Sequence, residues 1–339
     1  MAVRVLSIHA SYRCGRSGDC CTANWPIPVE ADRLNAIRAA LARRSLRTVD
    51  GGAALESAHA ETDTPLLATR AHACVFFDSS GHRTCRIQDT LGHAALPLAC
   101  RQFPRVSVID PRGASVTLSH YCPTARAMLG RETPLAIVSA PAFPNDDEYI
   151  GLDATSSLPP LLRPDVLMDW DSWWEWERLA IERIGDRSRP IEDALASLAL
   201  AVEYARAWRP GDGDLAQRVR DAFLVASGPA VPEPIAHDAL ARGVLNAVPE
   251  DIRPAQIETG ERPTETVTRA FLAAHAFANW TAHLGGGLRT WLRSLHAAHA
   301  LLRSGCGVRE ADLLLRHLAE PGELAKAWSA AEVVGAPRG

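Results

Sequence analysis

The stretch Tyr12-Arg-Cys14-Gly-Arg-Ser-Gly-Asp-Cys20-Cys21-Thr-Ala-Asn-Trp25 sets three cysteines and two glycines in one short run and reads as a metal-holding loop. Four more thiols follow at Cys74, Cys85, Cys100 and Cys122, so seven of the eight cysteines fall in the first 122 residues and only Cys306 stands apart. A disulfide framework is the competing reading. Seven is an odd number, however, and neighbours such as Cys20 and Cys21 bridge each other only with strain. The first ten residues lack the basic segment and long apolar run of a secretory leader, and no later stretch is long and charge-free enough to span a bilayer. The expectation is a soluble cytoplasmic protein, with no membrane partner, whose thiols stay reduced and bind metal.

Outward from the loop, residues 3–9 suggest a short strand and 30–44 a helix, with Leu34, Ile37 and Leu41 on one face. Two hairpins are expected to deliver the remaining thiols. Asp78-Ser-Ser-Gly81 has the Asp and Gly of a tight turn, and pairing those two residues sets Cys74 opposite Cys85. Asp110-Pro-Arg-Gly113 repeats the device, and its register carried outward sets Arg101 opposite Cys122, with Cys100 at the same open end.

After residue 130 the texture changes. Prolines at 134, 141, 144, 159, 160 and 164 mark a linker, and helical periods then dominate. Helices are predicted over 165–184, 190–208, 214–226, 236–247 and 310–318, and over 265–302 with a break at Gly285-Gly286-Gly287. The Trp170, Trp173, Trp174, Trp176 stripe reads as core or domain interface, His296 and His299 as ordinary helix histidines, Cys306 as structural, and the tail after 334 as disordered. The fold class is therefore α+β and predominantly helical: a cysteine-rich metal or cluster domain with β-hairpins at 1–130, a Pro-rich linker at 131–164, and a helical domain at 165–330.

Charge is split between the halves. Residues 1–130 hold 15 Arg against 10 acidic residues, a net of +5, while the remainder holds 21 basic and 30 acidic residues, a net of −9. The early arginines Arg13, Arg16, Arg83, Arg86, Arg101 and Arg105 sit beside cysteines, where they can offset the −2 of a four-thiolate zinc or iron-sulfur site. Aromatic interleaving of the kind that stacks bases is thin, which argues against a nucleic-acid partner.

The order and contexts of Cys14, Cys20-Cys21, Cys74, Cys85, Cys100-Arg-Gln-Phe-Pro-Arg105 and Ser119-His-Tyr-Cys122-Pro-Thr-Ala125 resemble the zinc- or iron-chelating cysteine-cluster proteins, closest to their flagellin lysine-N-methylase branch. Residues 181–195 resemble the helix, turn, helix step of that branch. The resemblance weakens after about residue 210, and Arg16, Ser17 and Gly18 stand where relatives usually carry a further cysteine. It implies a 4Fe-4S cluster, with zinc as the alternative, on metal ligands drawn from Cys14, Cys20, Cys21, Cys74, Cys85, Cys100 and Cys122. It also implies a methyl donor, S-adenosylmethionine, and a protein-lysine N-methyltransferase acting on flagellin or a similar protein.

The residues themselves carry neither a Cys-x-x-x-Cys-x-x-Cys triplet nor a strand, glycine-rich turn and helix for a nucleoside. Glu30, Asp78, Asp89 and His120 lie near the cysteines, with nothing to select a catalytic base among them. Two other readings stand beside the enzyme: a non-enzymatic zinc or iron carrier, and a structural zinc site holding an interaction domain together.

Overall fold

In chain order the elements are β1 (Val3–Leu6), α1 (Ala31–Ala42), the short strands β2 (Leu55–Glu56), β3 (Leu66–Leu67), β4 (Thr69–Arg70), β5 (Ala73–Cys74), β6 (Phe77–Asp78) and β7 (Thr84–Cys85), then α2 (Arg86–Leu91) and α3 (Leu98–Gln102). They continue with β8 (Arg105–Asp110), β9 (Gly113–Leu118), α4 (Pro123–Met128), β10 (Ile137–Ala140), β11 (Gly151–Asp153), β12 (Leu161–Arg163) and β13 (Val166–Leu167). Among the described residues the helices α5 (Trp170–Gly185), α6 (Ile191–Arg206), α7 (Leu215–Val225), α8 (His237–Ala247), α9 (Glu265–Ala276), α10 (Leu288–Arg303) and α11 (Val308–His317) follow. This computed structural model describes residues 2–23, 25–56, 64–80, 83–140, 151–228, 237–248, 261–283 and 285–318, so the expected disordered tail and Gly81 of the first predicted turn lie outside the described residues. The class is α+β. Among the described residues no helix is long and apolar enough to cross a membrane.

Contacts divide the chain into two units. One comprises Met1–Ser11, Val106–Leu118 and Arg126–Gly339; the other comprises Tyr12–Arg105 and Ser119–Ala125, and holds seven of the eight cysteines.

The first unit is built on a five-stranded sheet in the order β10-β1-β9-β8-β11. β1 pairs antiparallel with β10, from Val3 opposite Ala140 to Leu6 opposite Ile137, and parallel with β9, Val3 opposite Ala114. β11 joins the other edge parallel to β8. Residues 131–164, read above as a linker, thus carry β10, β11 and β12.

The helices start where the sequence supplies caps: Asp169 accepts the Ser172 N–H at 2.7 Å, Asp214 accepts those of Ala216 and Gln217, and Thr264 that of Val267. Their apolar faces meet around Trp176, Trp291, Phe271 and Phe277, all fully buried. Trp176 sits edge-on to Trp291 at 5.4 Å and to Phe223 at 5.1 Å, so two of the expected stripe residues, Trp173 and Trp176, are core. The predicted break in the last long helix is wider than the three glycines: α9 ends at Ala276, a short 3-10 turn spans Trp280–His283, and α10 begins at Leu288.

This unit also buries charge. Arg4 on β1 and Arg112 in the β8–β9 turn both meet Asp110, and Arg112 reaches Glu177 of α5 at 3.4 Å. Trp170 and Trp174 flank the Arg112 guanidinium at 5.4 and 5.6 Å. His296 and His299 of α10 are buried, and the His299 ring stands edge-on to His237 of α8 at 5.1 Å, beside Glu192 of α6. Neither ring nitrogen of His299 has a hydrogen-bond partner.

The second unit has a smaller core, in which Leu34, Ile37 and Ala40 of α1 pack with Val29, Leu46, Leu67, Val75, Phe76, Ile87 and Leu96. Cys74, Cys85 and Cys100 lie against this cluster, partly buried.

Candidate metal centre

The first predicted hairpin has another register, and the second keeps its register but ends before its cysteines. Cys74 does not face Cys85: β5 pairs backward with β4, Thr69 opposite Cys74, through a tight turn in which Ala71 and His72 take positive φ. Val75 and Phe76 then dive into the core, and the next pairing sets Phe77 opposite Cys85 and Asp78 opposite Thr84. Burying Phe76 and Val75 outweighs the Asp-Ser-Ser-Gly turn signal, which moves the pairing three residues along. In the second hairpin the strands do run to Asp110 and from Gly113 as expected. The ladder stops at the Ser119 N–H to Pro104 carbonyl bond of 2.7 Å, because residues 98–102 coil into α3. Cys100 is therefore helical, and Cys122 lies in the turn that opens α4.

Three contacts carry the cysteine loop to the other thiols. Gly18 takes a φ of +75°, and a Cβ there would meet the Phe77 ring at 2.4 Å and the Arg83 carbonyl oxygen at 2.5 Å, so only glycine lets the loop lie this close to β6. Arg83 clamps the loop from the β7 side, donating to Asp19 at 2.7 Å and to the Ser17 carbonyl at 3.2 Å while its guanidinium covers the Phe77 ring. The Cys21 N–H closes a 3-10 turn on the Gly18 carbonyl at 3.0 Å, which fixes where Cys20 and Cys21 emerge.

The other thiols are held by the same kind of local chemistry. Arg86 donates to Asp78 at 2.9 Å and to the Thr48 carbonyl at 3.0 Å, pinning the junction of β7 and α2 at Cys85. Glu30 accepts the Leu98 N–H at 3.0 Å, capping α3 and seating Cys100. Glu30 and Asp78, named above only as acids near the cysteines, are thus positioning groups.

The thiols of Cys20, Cys74, Cys85 and Cys100 come from a loop, two strands and a helix, and each acts electrostatically on the other three. Cys21 sits beside two of them and shares side-chain hydrogen bonds with Cys20 and Cys85. As the common donor it keeps its proton, which is pushed up, and it eases ionisation of both neighbours. The Cys85 thiol is drawn down to about 7, by the Cys21 hydrogen bond first and then by the N–H groups of Gln88 and Ile87. Burial pushes Cys74 up to about 11 and Cys100 well above the ordinary thiol range.

Cys14 and Cys122 both lie near Tyr12. The Tyr12 hydroxyl lies 3.6 Å from the Cys122 sulfur, and burial followed by the Cys122 charge raises the phenol; Cys14 and Cys20 add to this more weakly. Tyr121 donates to the Thr22 carbonyl at 2.9 Å and packs with Trp25 and, through it, Phe103, so the loop end and Cys122 are one aromatic assembly. Cys306 belongs to the other unit, where it is buried.

The donor chemistry suits a soft metal, since at least four thiols gather where several can lose protons and two of them, Cys20 and Cys85, already ionise more easily than a free thiol. The side chains are gathered rather than closed: among the described residues, no group of three or more His, Cys, Asp or Glu side chains is arranged to hold a metal ion as it stands. Two features had no sequence signal beyond composition, the Tyr12 to Cys122 contact and the Arg83 clamp.

No protein-family model, no curated protein and no solved structure matches this chain.

Proposed function

We propose that the second unit binds a thiolate-ligated metal centre, a 4Fe-4S cluster or a zinc ion, on Cys20, Cys74, Cys85 and Cys100. The observation that carries this reading is that Cys74, Cys85 and Cys100, from three separate segments, lie against one small core onto which Gly18 and Arg83 press the Cys20-Cys21 loop. An isolated buried cysteine is an ordinary small hydrophobe; four that act on one another are a costly arrangement unless a cation offsets them once ionised. Cys21, Cys14 and Cys122 lie outside the four-ligand set. Bound metal would displace the thiol protons that burial retains on Cys74 and Cys100, so affinity rises with pH.

The activity proposed for this centre is transfer of a methyl group from S-adenosylmethionine to lysines of flagellin or a similar protein, and it rests on the resemblance of the cysteine segments and of residues 181–195 alone. The test is anaerobic purification followed by metal analysis and absorption spectroscopy. Brown protein with sulfide favours the cluster; colourless protein with one zinc per chain favours zinc. Protein that holds neither, and gives no thiolate charge-transfer band on titration with Co²⁺, refutes the reading. Incubation with labelled donor and flagellin then decides between an enzyme and a carrier.

A further inference from the structure

We propose that the first unit binds a small carboxylate between its sheet and α5, and that a proton settles on Glu177 as the carboxylate enters. The site is a narrow pocket in which Asp110, Arg112 and Ser115 of the β8–β9 hairpin meet Glu177 of α5, with Val108, Trp173 and Ala278 as apolar wall and Asn279 and His283 beside them. Its buried donors outnumber its acceptors. Among the described residues, the Ser115 hydroxyl, on a residue 1% exposed, and the Arg112 Nη1 have no hydrogen-bond partner, and neither have Nε and Nη1 of Arg4, which shares Asp110 with Arg112. Asp110 is already taken up by Nε, Nη2 and the backbone N–H of Arg112 and by Nη2 of Arg4. Buried donors left unmet are costly, the more so on a charged group, so the pocket favours a ligand rich in acceptor lone pairs.

Charge then decides which ligand. The groups around Glu177 are Arg4 on β1, Asp110 and Arg112 on the hairpin, and His283 in the 3-10 turn, whose ring burial lowers and keeps neutral near pH 7. With both acids ionised the two guanidiniums are balanced, and a monoanion would set three negative groups against two positive ones. Glu177 is the group that yields. Its side chain is 1% exposed and its contacts are long, 3.4 Å from Arg112 and 3.3 Å from the Ala278 N–H, whereas Asp110 takes Arg112 at 2.6 Å. Protonated, Glu177 restores the balance and donates its O–H to the incoming carboxylate, as two acids at close range do when they share a proton. Arg112 Nη1 and the Ser115 hydroxyl are the other donors. The pocket is narrow, so the ligand is the size of formate, admitted by movement of the partly exposed Arg112, Asn279 and His283 side chains.

The test is titration of the full chain with sodium formate at constant ionic strength between pH 6 and pH 8, read by saturation-transfer NMR on the formate proton and by tryptophan fluorescence. Saturable binding is expected, weakening by up to about tenfold per pH unit because one proton enters with each anion. E177Q, whose neutral amide also donates, should bind at pH 8 about as tightly as the wild type at pH 6, with no pH dependence. S115A should weaken binding about threefold or more, the worth of one hydrogen bond, without moving the pH profile. Absence of saturable binding by the wild type means that water meets these donors, and overturns the proposal. Wild-type binding independent of pH, a wild-type pH profile in E177Q, or unweakened binding by S115A overturns it equally. Should E177Q fail to fold, the wild-type profile and S115A decide the question between them.

Discussion

Acid should unfold the helical unit through its buried imidazoles. Burial lowers the His296 ring to about 3 and the His299 ring to about 4, with His237 and, for His299, Arg303 adding to the effect and Glu192 opposing it. An imidazole in the unfolded chain titrates near 6.5, so the unfolded state takes up the proton first. Stability is therefore whole above about pH 6.5 and is lost as pH falls toward the folded value, below which this group causes no further loss. For His299 the loss at pH 5 works out at about 2 kcal/mol, and His296 adds a similar amount if the two titrate independently.

Urea unfolding at pH 7.5 and pH 5, on wild type and H299L, isolates the contribution because carboxylate effects are common to both. The stability difference between the two pH values should shrink by about 2 kcal/mol in the variant. Equal differences in the two proteins would refute the reasoning, since a ring 1% exposed with no hydrogen-bond partner at either nitrogen favours its neutral form, Glu192 at 3.9 Å offsetting only part of the burial.

Three further outcomes are expected. G18A forces a side chain into the left-handed region, at about 1–2 kcal/mol, and against the Arg83 carbonyl, so Co²⁺ affinity should fall about tenfold or more while the helical unit melts unchanged. D110A leaves Arg4 and Arg112 without their shared carboxylate and should cost about 3–5 kcal/mol in chemical denaturation. E30A uncaps α3 and should cost about 1 kcal/mol, with Cys100 alkylated faster than in the wild type as the readout.

Helix periodicity was the most legible feature of the sequence. The patterns at 190–208, 214–226 and 236–247 became α6, α7 and α8 with ends within two residues, because apolar spacing and caps agree there. The helix expected from residue 165 begins at Trp170, where Asp169 caps it, after the β12–β13 hairpin. Short strands were the least legible. A two-residue ladder has almost no alternation to read, and the register around Cys74 and Cys85 was decided by which of Val75, Phe76 and Phe77 the core accepts. The contact of Tyr12 with Cys122 had no signal, since an apolar ring with a single hydroxyl gives no pattern.

The strand at the very start of the chain has a consequence for biosynthesis. β1 has no neighbour in its sheet until β9 and β10 have been made, more than a hundred residues later. Residues 12–105, which carry six of the seven gathered cysteines, leave the ribosome during that wait. A segment that orders itself early also shortens the effective loop that β1 must close, since closure entropy grows with the length of flexible chain between the partners. If residues 12–105 order only around the proposed ion, its scarcity during translation would slow the maturation of a sheet that contains none of the seven N-terminal cysteines.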